Sequence, residues 1–329
     1  MKAIFFGLLV VGLMGFAPTS VRASTPSIKV ISFQNEFVRF WQEAKFKPFS
    51  QQLQLWNLII EEPHQPFFDF AVWEKQFRPN WSETKALALK SRLALYPELY
   101  AATLKAYETF PQVTQVQIER FKKIIPDFEP NFPVYAVVAP NFDAKSAVIS
   151  PDKNSIALVI ALDSIALEKA NLDILFPHEL FHAFHAQRSG FLNDGVMPGT
   201  SILVPLWEEG LATYVSGLAN PDAKDEQLLF DPDFRKSKKE DLRWLAGKFL
   251  EQMSQKTLNP APTDAFKSWF SVGKLRLRED LPNRSGYFLG LRVVREVAKT
   301  HSLKEMIEWR PESVTPFVTD ALAKLRDGT

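Results

Sequence analysis

The chain has 329 residues, 39 basic and 38 acidic side chains, a formal net charge of +1 and no cysteine. That balance favours neither nucleic acid nor an anionic membrane surface as a partner. The missing cysteines exclude disulfides and lipid attachment at an N-terminal cysteine. With 46% hydrophobic residues and 28 phenylalanines, there is material for a sizeable core in one large domain or two modest ones.

The first 23 residues read as an export signal rather than as fold. Lys2 gives a short basic start, Ile4 to Ala17 is an apolar run of 14 residues, and Val21-Arg22-Ala23 offers a cleavage site before Ser24. The run is shorter than the roughly 20 residues that span a bilayer, so no stable membrane insertion is expected after cleavage near Ala23. Without Lys2 and Arg22 the mature chain would carry 37 basic and 38 acidic residues.

Residues 24–130 are expected to form a helical region. Phe33, Phe37 and Phe40-Trp41 recur at helical spacing, as do Leu53, Leu55, Trp56 and Leu58-Ile59-Ile60. Further helical stretches are expected over Lys85 to Leu95, Glu98 to Phe110 and Val113 to Ile125, with Pro97, Pro111 and Pro126 at their boundaries. His64 falls in a Pro-containing stretch that reads as a loop, where a solvated histidine is favoured over a ligand.

The pattern changes near residue 131. Phe132–Ala139, Ala147–Ser150 and Ser155–Leu162 read as strands, the last apolar enough to be buried on both faces. A helix from about Asp173 to Arg188 follows, with Pro177 expected in its first turn and Ser189-Gly190 at its end. Residues 190–205 read as an irregular loop, whose Val196, Met197, Ile202, Leu203 and Val204 hint at an apolar preference or at simple packing. Helical patterns return at Leu206–Val215, Asp241–Gln255, Tyr287–Ala298, Leu303–Trp309 and Val314–Leu325. The expected fold is α+β and predominantly helical, with a small sheet before the His178 helix and 131–329 as one unit.

That helix carries His178-Glu179-Leu180-Phe181-His182, an H-E-x-x-H pattern. Positions i and i+4 lie on one helix face, so both imidazoles can reach one metal ion. Glu179 flanks the open side, where a carboxylate can take a proton from water that the metal activates. A catalytic zinc site needs a third protein ligand. A histidine six residues after His182 would supply one, but Arg188 stands there and His185 takes the place of the usual glycine. Glu208 and Glu209 lie in the next helical pattern and are both available. His185 or Glu208 as a fourth ligand would instead close the site and make it structural.

H-E-L-F-H followed by W-E-E-G-L-A-T-Y resembles the gluzincin, or peptidase MA-like, superfamily, and within it uncharacterised bacterial zinc-dependent proteases. The resemblance is tight over residues 178–214. It implies a zincin-like catalytic domain over 131–329 and one Zn²⁺ per chain held by His178, His182 and Glu209, with Glu179 as general base. Glu209 is favoured over Glu208 because the ligand in the aminopeptidase branch is the Glu directly before Gly. A looser likeness at Arg284-Ser285-Gly286-Tyr287 implies Tyr287 as the donor that stabilises the oxyanion, with Arg284 behind it.

The expected function is an exported, periplasmic or secreted zinc-dependent peptidase acting on a peptide or protein. The alternative is a non-catalytic zinc-binding or interaction protein on the same scaffold.

Overall fold

Ile156–Ala161 is buried at every position and forms an inner strand of a four-stranded sheet. The computed structural model describes residues 28–75, 80–150, 155–189, 199–258, 262–273 and 275–329; the expected export signal and cleavage site lie outside them. The strands are β1 (Val30–Ser32), β2 (Val134–Val137), β3 (Ala144–Val148) and β4 (Ile156–Ala161), in the order β1-β2-β4-β3. β1, β2 and β4 run parallel, and β3 closes one edge antiparallel to β4. An inner strand flanked on both faces needs no polar alternation, which is why β4 is a continuous apolar run.

The rest is mostly helical, in keeping with the expected α+β class. In chain order the main helices are α1 (Gln34–Ala44), α2 (Phe49–Trp56), α3 (Trp81–Ile124), α4 (Leu162–Glu168), α5 (Leu172–Ser189), α6 (Leu203–Ala219), α7 (Lys239–Gln252), α8 (Asp264–Phe270), α9 (Ser285–Val297), α10 (Leu303–Glu308) and α11 (Thr315–Asp327). One hydrophobic core runs from Phe33 in the N-terminal part to Leu322 in α11. β1 comes from the region expected to be helical and pairs with β2, so the sheet joins residues on both sides of position 130. No helix among the described residues is long and apolar enough to cross a membrane.

Proline placement differs from expectation in three places. Pro97 and Pro111 lie inside α3, a single helix of 44 residues. Each removes a backbone bond at a cost of about 3 kcal/mol. A stripe of Leu89, Leu93, Tyr96, Leu99, Thr103, Tyr107, Phe110, Thr114, Ile118 and Phe121 is buried along the whole helix, and that packing outweighs the breaks. Pro177 sits in the second turn of α5, not the first. The Asp173 carbonyl it leaves without an intrahelical donor accepts from Asn220 Nδ2 at 2.7 Å. Pro205 is in the first turn of α6, where a missing N–H is harmless.

Two buried ionic networks pin the long helix. Asp163, at the start of α4, accepts from Arg92 (2.8 Å), from the Tyr96 hydroxyl (3.0 Å) and from the Ala139 N–H (2.9 Å). Burial pushes its carboxyl above the usual range, against Arg92. The clamp ties α3 to the C-terminal ends of β2 and β4. Farther toward the start of α3, Glu61 accepts from Trp56 (2.7 Å), Trp73 (2.9 Å) and Lys85.

Candidate metal centre

α5 packs on β3 and β4 on one side and on α6 on the other. It is buried nearly throughout, so its polar residues are not a solvated stripe. His178, Glu179, His182 and His185 are all buried among Ile174, Leu175, Phe176, Leu180, Phe181 and Phe184. Opposite lies α6, whose apolar sequence Leu203–Gly210 is interrupted by two buried carboxylates, Glu208 (2% exposed) and Glu209 (6%). Withdrawing a carboxylate from water is costly unless a positive charge or strong donors compensate.

The donors converge on one point. His178 Nε2 and His182 Nε2 are 3.1 Å apart, and Glu209 Oε2 lies 3.2 Å from the first and 3.4 Å from the second. Ligands about 2.0–2.1 Å from a tetrahedral ion stand about 3.3 Å from one another, so the three spacings fit a single metal ion. Burial lowers the His178 pKa below its ordinary value, against the opposing pull of Glu209, which favours the neutral, ligating imidazole. Burial works against the charge of Glu209, but the two histidines outweigh it and its pKa is lowered.

Among the described residues, His178, His182 and Glu209 form the one set of such donor atoms lying within 4.8 Å of one another. Neither Glu208 nor His185 belongs to it. His185 is turned toward the core, stacked on Phe181 at 5.0 Å between ring centres and close to the Ile307 backbone. Burial takes its pKa down to about 3.

Tyr287 stands over the same group. Its hydroxyl donates to Glu209 Oε1 at 2.7 Å, leaving Oε2 to the histidines, and its ring stacks on that of His178 at 6.3 Å. The approach depends on two glycines. A Cβ on Gly210 would fall 2.4 Å from the Gly290 carbonyl, and one on Gly290 would fall 2.4 Å from the Leu206 carbonyl oxygen. α6 and α9 therefore cross backbone to backbone, one residue beyond Glu209 and one turn beyond Tyr287. This crossing was not anticipated from the sequence; a glycine inside each of two helical patterns was the signal for it.

Arg284 caps the N-terminus of α9 in the left-handed region (φ 57°, ψ 31°), and its guanidinium lies 4.0 Å over the Tyr287 ring. Burial disfavours its charge, while the Tyr287 oxygen and the Glu209 carboxylate favour it; the net direction is upward.

Other expectations differ. His64 is no solvated loop residue: it is half-buried, stacks on Phe33 at 3.9 Å and contacts Glu36 at 3.3 Å. Ile202, Leu203 and Val204 are core residues, so packing accounts for them, while residues 190–198, with Val196 and Met197, lie outside the described residues.

No family model matches the chain, and comparison with curated proteins and with solved structures returns no significant match.

Proposed function

We propose that the chain is an exported zinc-dependent peptidase of the gluzincin type, with a zincin-like core formed by the sheet, α5, α6 and α9. The observation that carries this reading is the convergence of His178, His182 and Glu209 at the spacing of a single ion, with Glu179 intact beside them. Zinc held there would polarise the scissile carbonyl and make water acidic enough to serve as nucleophile near neutral pH. Glu179 takes the proton from the attacking water and returns it to the leaving amine. Tyr287 turns its hydroxyl from Glu209 to the oxygen on which negative charge develops. Three donors rather than four among the described residues favour a catalytic site over a closed structural one.

Elemental analysis of the purified protein, paired with digestion of a peptide library, tests the proposal. About one zinc per chain is expected, with peptide cleavage that Glu179→Gln abolishes while zinc is retained. Cleavage undiminished in that variant, or no zinc bound even when zinc is added, would overturn it.

A further inference from the structure

Arginines withdrawn from solvent in this fold follow a rule with one exception. Among the described residues, Arg92, Arg120, Arg278, Arg292 and Arg295 are buried or half-buried, and each bonds an aspartate: Asp163, Asp173, Asp241, Asp225 and Asp225 respectively. Arg284 is half-buried too, yet among the described residues no carboxylate lies within ion-pair distance of it. Its charge is met by the face of Tyr287, at 4.0 Å, and by Glu209 and Asp143 acting from farther off. A guanidinium presents five donors in a planar fork that matches a carboxylate; Arg284 hydrogen-bonds the Tyr287 side chain and lies over its ring, and neither contact fills that fork as a carboxylate would.

The position of Arg284 adds to this. Its left-handed backbone costs about 1–2 kcal/mol in a residue other than glycine, and non-glycine residues held in such conformations cluster at functional sites. Here that conformation sets the guanidinium one tyrosine ring away from the group formed by His178, His182 and Glu209.

We propose that Arg284 is a substrate-recognition residue that binds a carboxylate of the peptide. The proposal rests on the reading that the cleft beside His178, His182 and Glu209 takes a peptide, and it narrows the substrate class to peptides with a carboxylate close to the scissile bond. That carboxylate comes either from the chain terminus or from an aspartate or glutamate side chain. The bond formed is a charge-assisted hydrogen-bonded pair, and no covalent change is involved.

Calorimetric titration of zinc-loaded Glu179→Gln protein, which binds without turnover, separates these cases. The probes are acetyl-trialanine with a free C-terminus, the same peptide as its C-terminal amide, and acetyl-Ala-Asp-Ala amide. At least one carboxylate peptide is expected to bind about tenfold or more tightly than the neutral amide. A preference for the first peptide marks a terminal carboxylate and a preference for the third an acidic side chain. Adding Arg284→Met should erase the preference, and Arg284→Lys should restore part of it. If Arg284 only props Tyr287, Arg284→Met will weaken all three peptides alike, and that result overturns the proposal. Equal binding of the three, binding of none, or a preference that survives Arg284→Met overturns it as well. Failure of the peptidase reading shows separately, as an intact carboxylate preference in a protein that cleaves no peptide with Glu179 present.

Discussion

Tyr287 donates its hydroxyl hydrogen to Glu209 Oε1 across 2.7 Å, while the other oxygen of the same carboxylate faces His178 and His182. One side chain thus links the candidate ligand Glu209 on α6 to α9. Tyr287→Phe removes the donor and keeps the ring. The variant is expected to bind zinc normally and to lose about 10²–10³ in kcat, the usual cost of one oxyanion donor. Peptide kinetics alongside zinc content would show it; an unchanged kcat would reduce Tyr287 to a support for Glu209.

The meeting of Gly210 and Gly290 leaves no room for a methyl group. Gly290→Ala would set a Cβ against the Leu206 carbonyl, and backbone cannot yield as a side-chain tip can. We expect a loss of about 1–3 kcal/mol on urea unfolding, together with weaker zinc binding as α9 moves off α6. Stability and zinc affinity both equal to the parent's would show that the helices separate without disturbing Glu209.

Removal of the metal should leave the buried Glu209 with only the His178 and His182 side chains and the Tyr287 hydroxyl to compensate its charge. Stripping zinc with a chelator is therefore expected to lower the melting temperature, and adding zinc back to restore it in proportion to RT ln(1 + [L]/Kd). His182→Ala should melt at one temperature with or without zinc. A melting temperature insensitive to the ion in the parent protein would count against the site.

His185 makes stability pH-dependent. The unfolded chain binds a proton at this position near pH 6.5, whereas burial, helped by the neighbouring His182, delays protonation of the folded chain to about pH 3. Between those values the unfolded state holds more protons, so stability rises with pH and is lost on acidification, by about 1.4 kcal/mol per unit from this residue. Urea midpoints of the parent and of His185→Gln between pH 7 and 5 would measure it. The parent should show the steeper decline; parallel curves would mean that His185 is protonated in the fold.

Asp163 holds three donors at the junction of sheet and long helix. Asp163→Ala strands Arg92 in the core, and removing one member of a buried pair costs about 3–5 kcal/mol. Equilibrium unfolding is the assay, and a loss below 1 kcal/mol would imply that Arg92 finds water.

Much of the candidate site could be read from short-range spacing. His178 and His182 share a helix face because they are four residues apart, and Glu209 is marked by its neighbours Trp207 to Tyr214. Features set by distant chain segments could not be read so. Arg92 and Asp163 are 71 residues apart, and nothing local marks them as partners. Val30–Ser32 is three residues long, too short for a periodic signal against the helical pattern that begins at Phe33. Pro97 and Pro111 carry strong local stop signals that tertiary burial of α3 overrides. Asn220 gave no sign that it would serve the carbonyl freed by Pro177.

The pairing of Val30 with Val134 also orders events in time. β1 is the first strand made, yet its partner emerges only after roughly a hundred further residues, and closing a loop of that length costs about 4 kcal/mol in chain entropy. The sheet cannot be completed while the chain is still being synthesised through α3, and its formation is expected to be late and slow. Under the export proposed above, that delay would keep the polypeptide threadable. Pulsed hydrogen exchange during refolding would find the Ile31 amide among the last to gain protection.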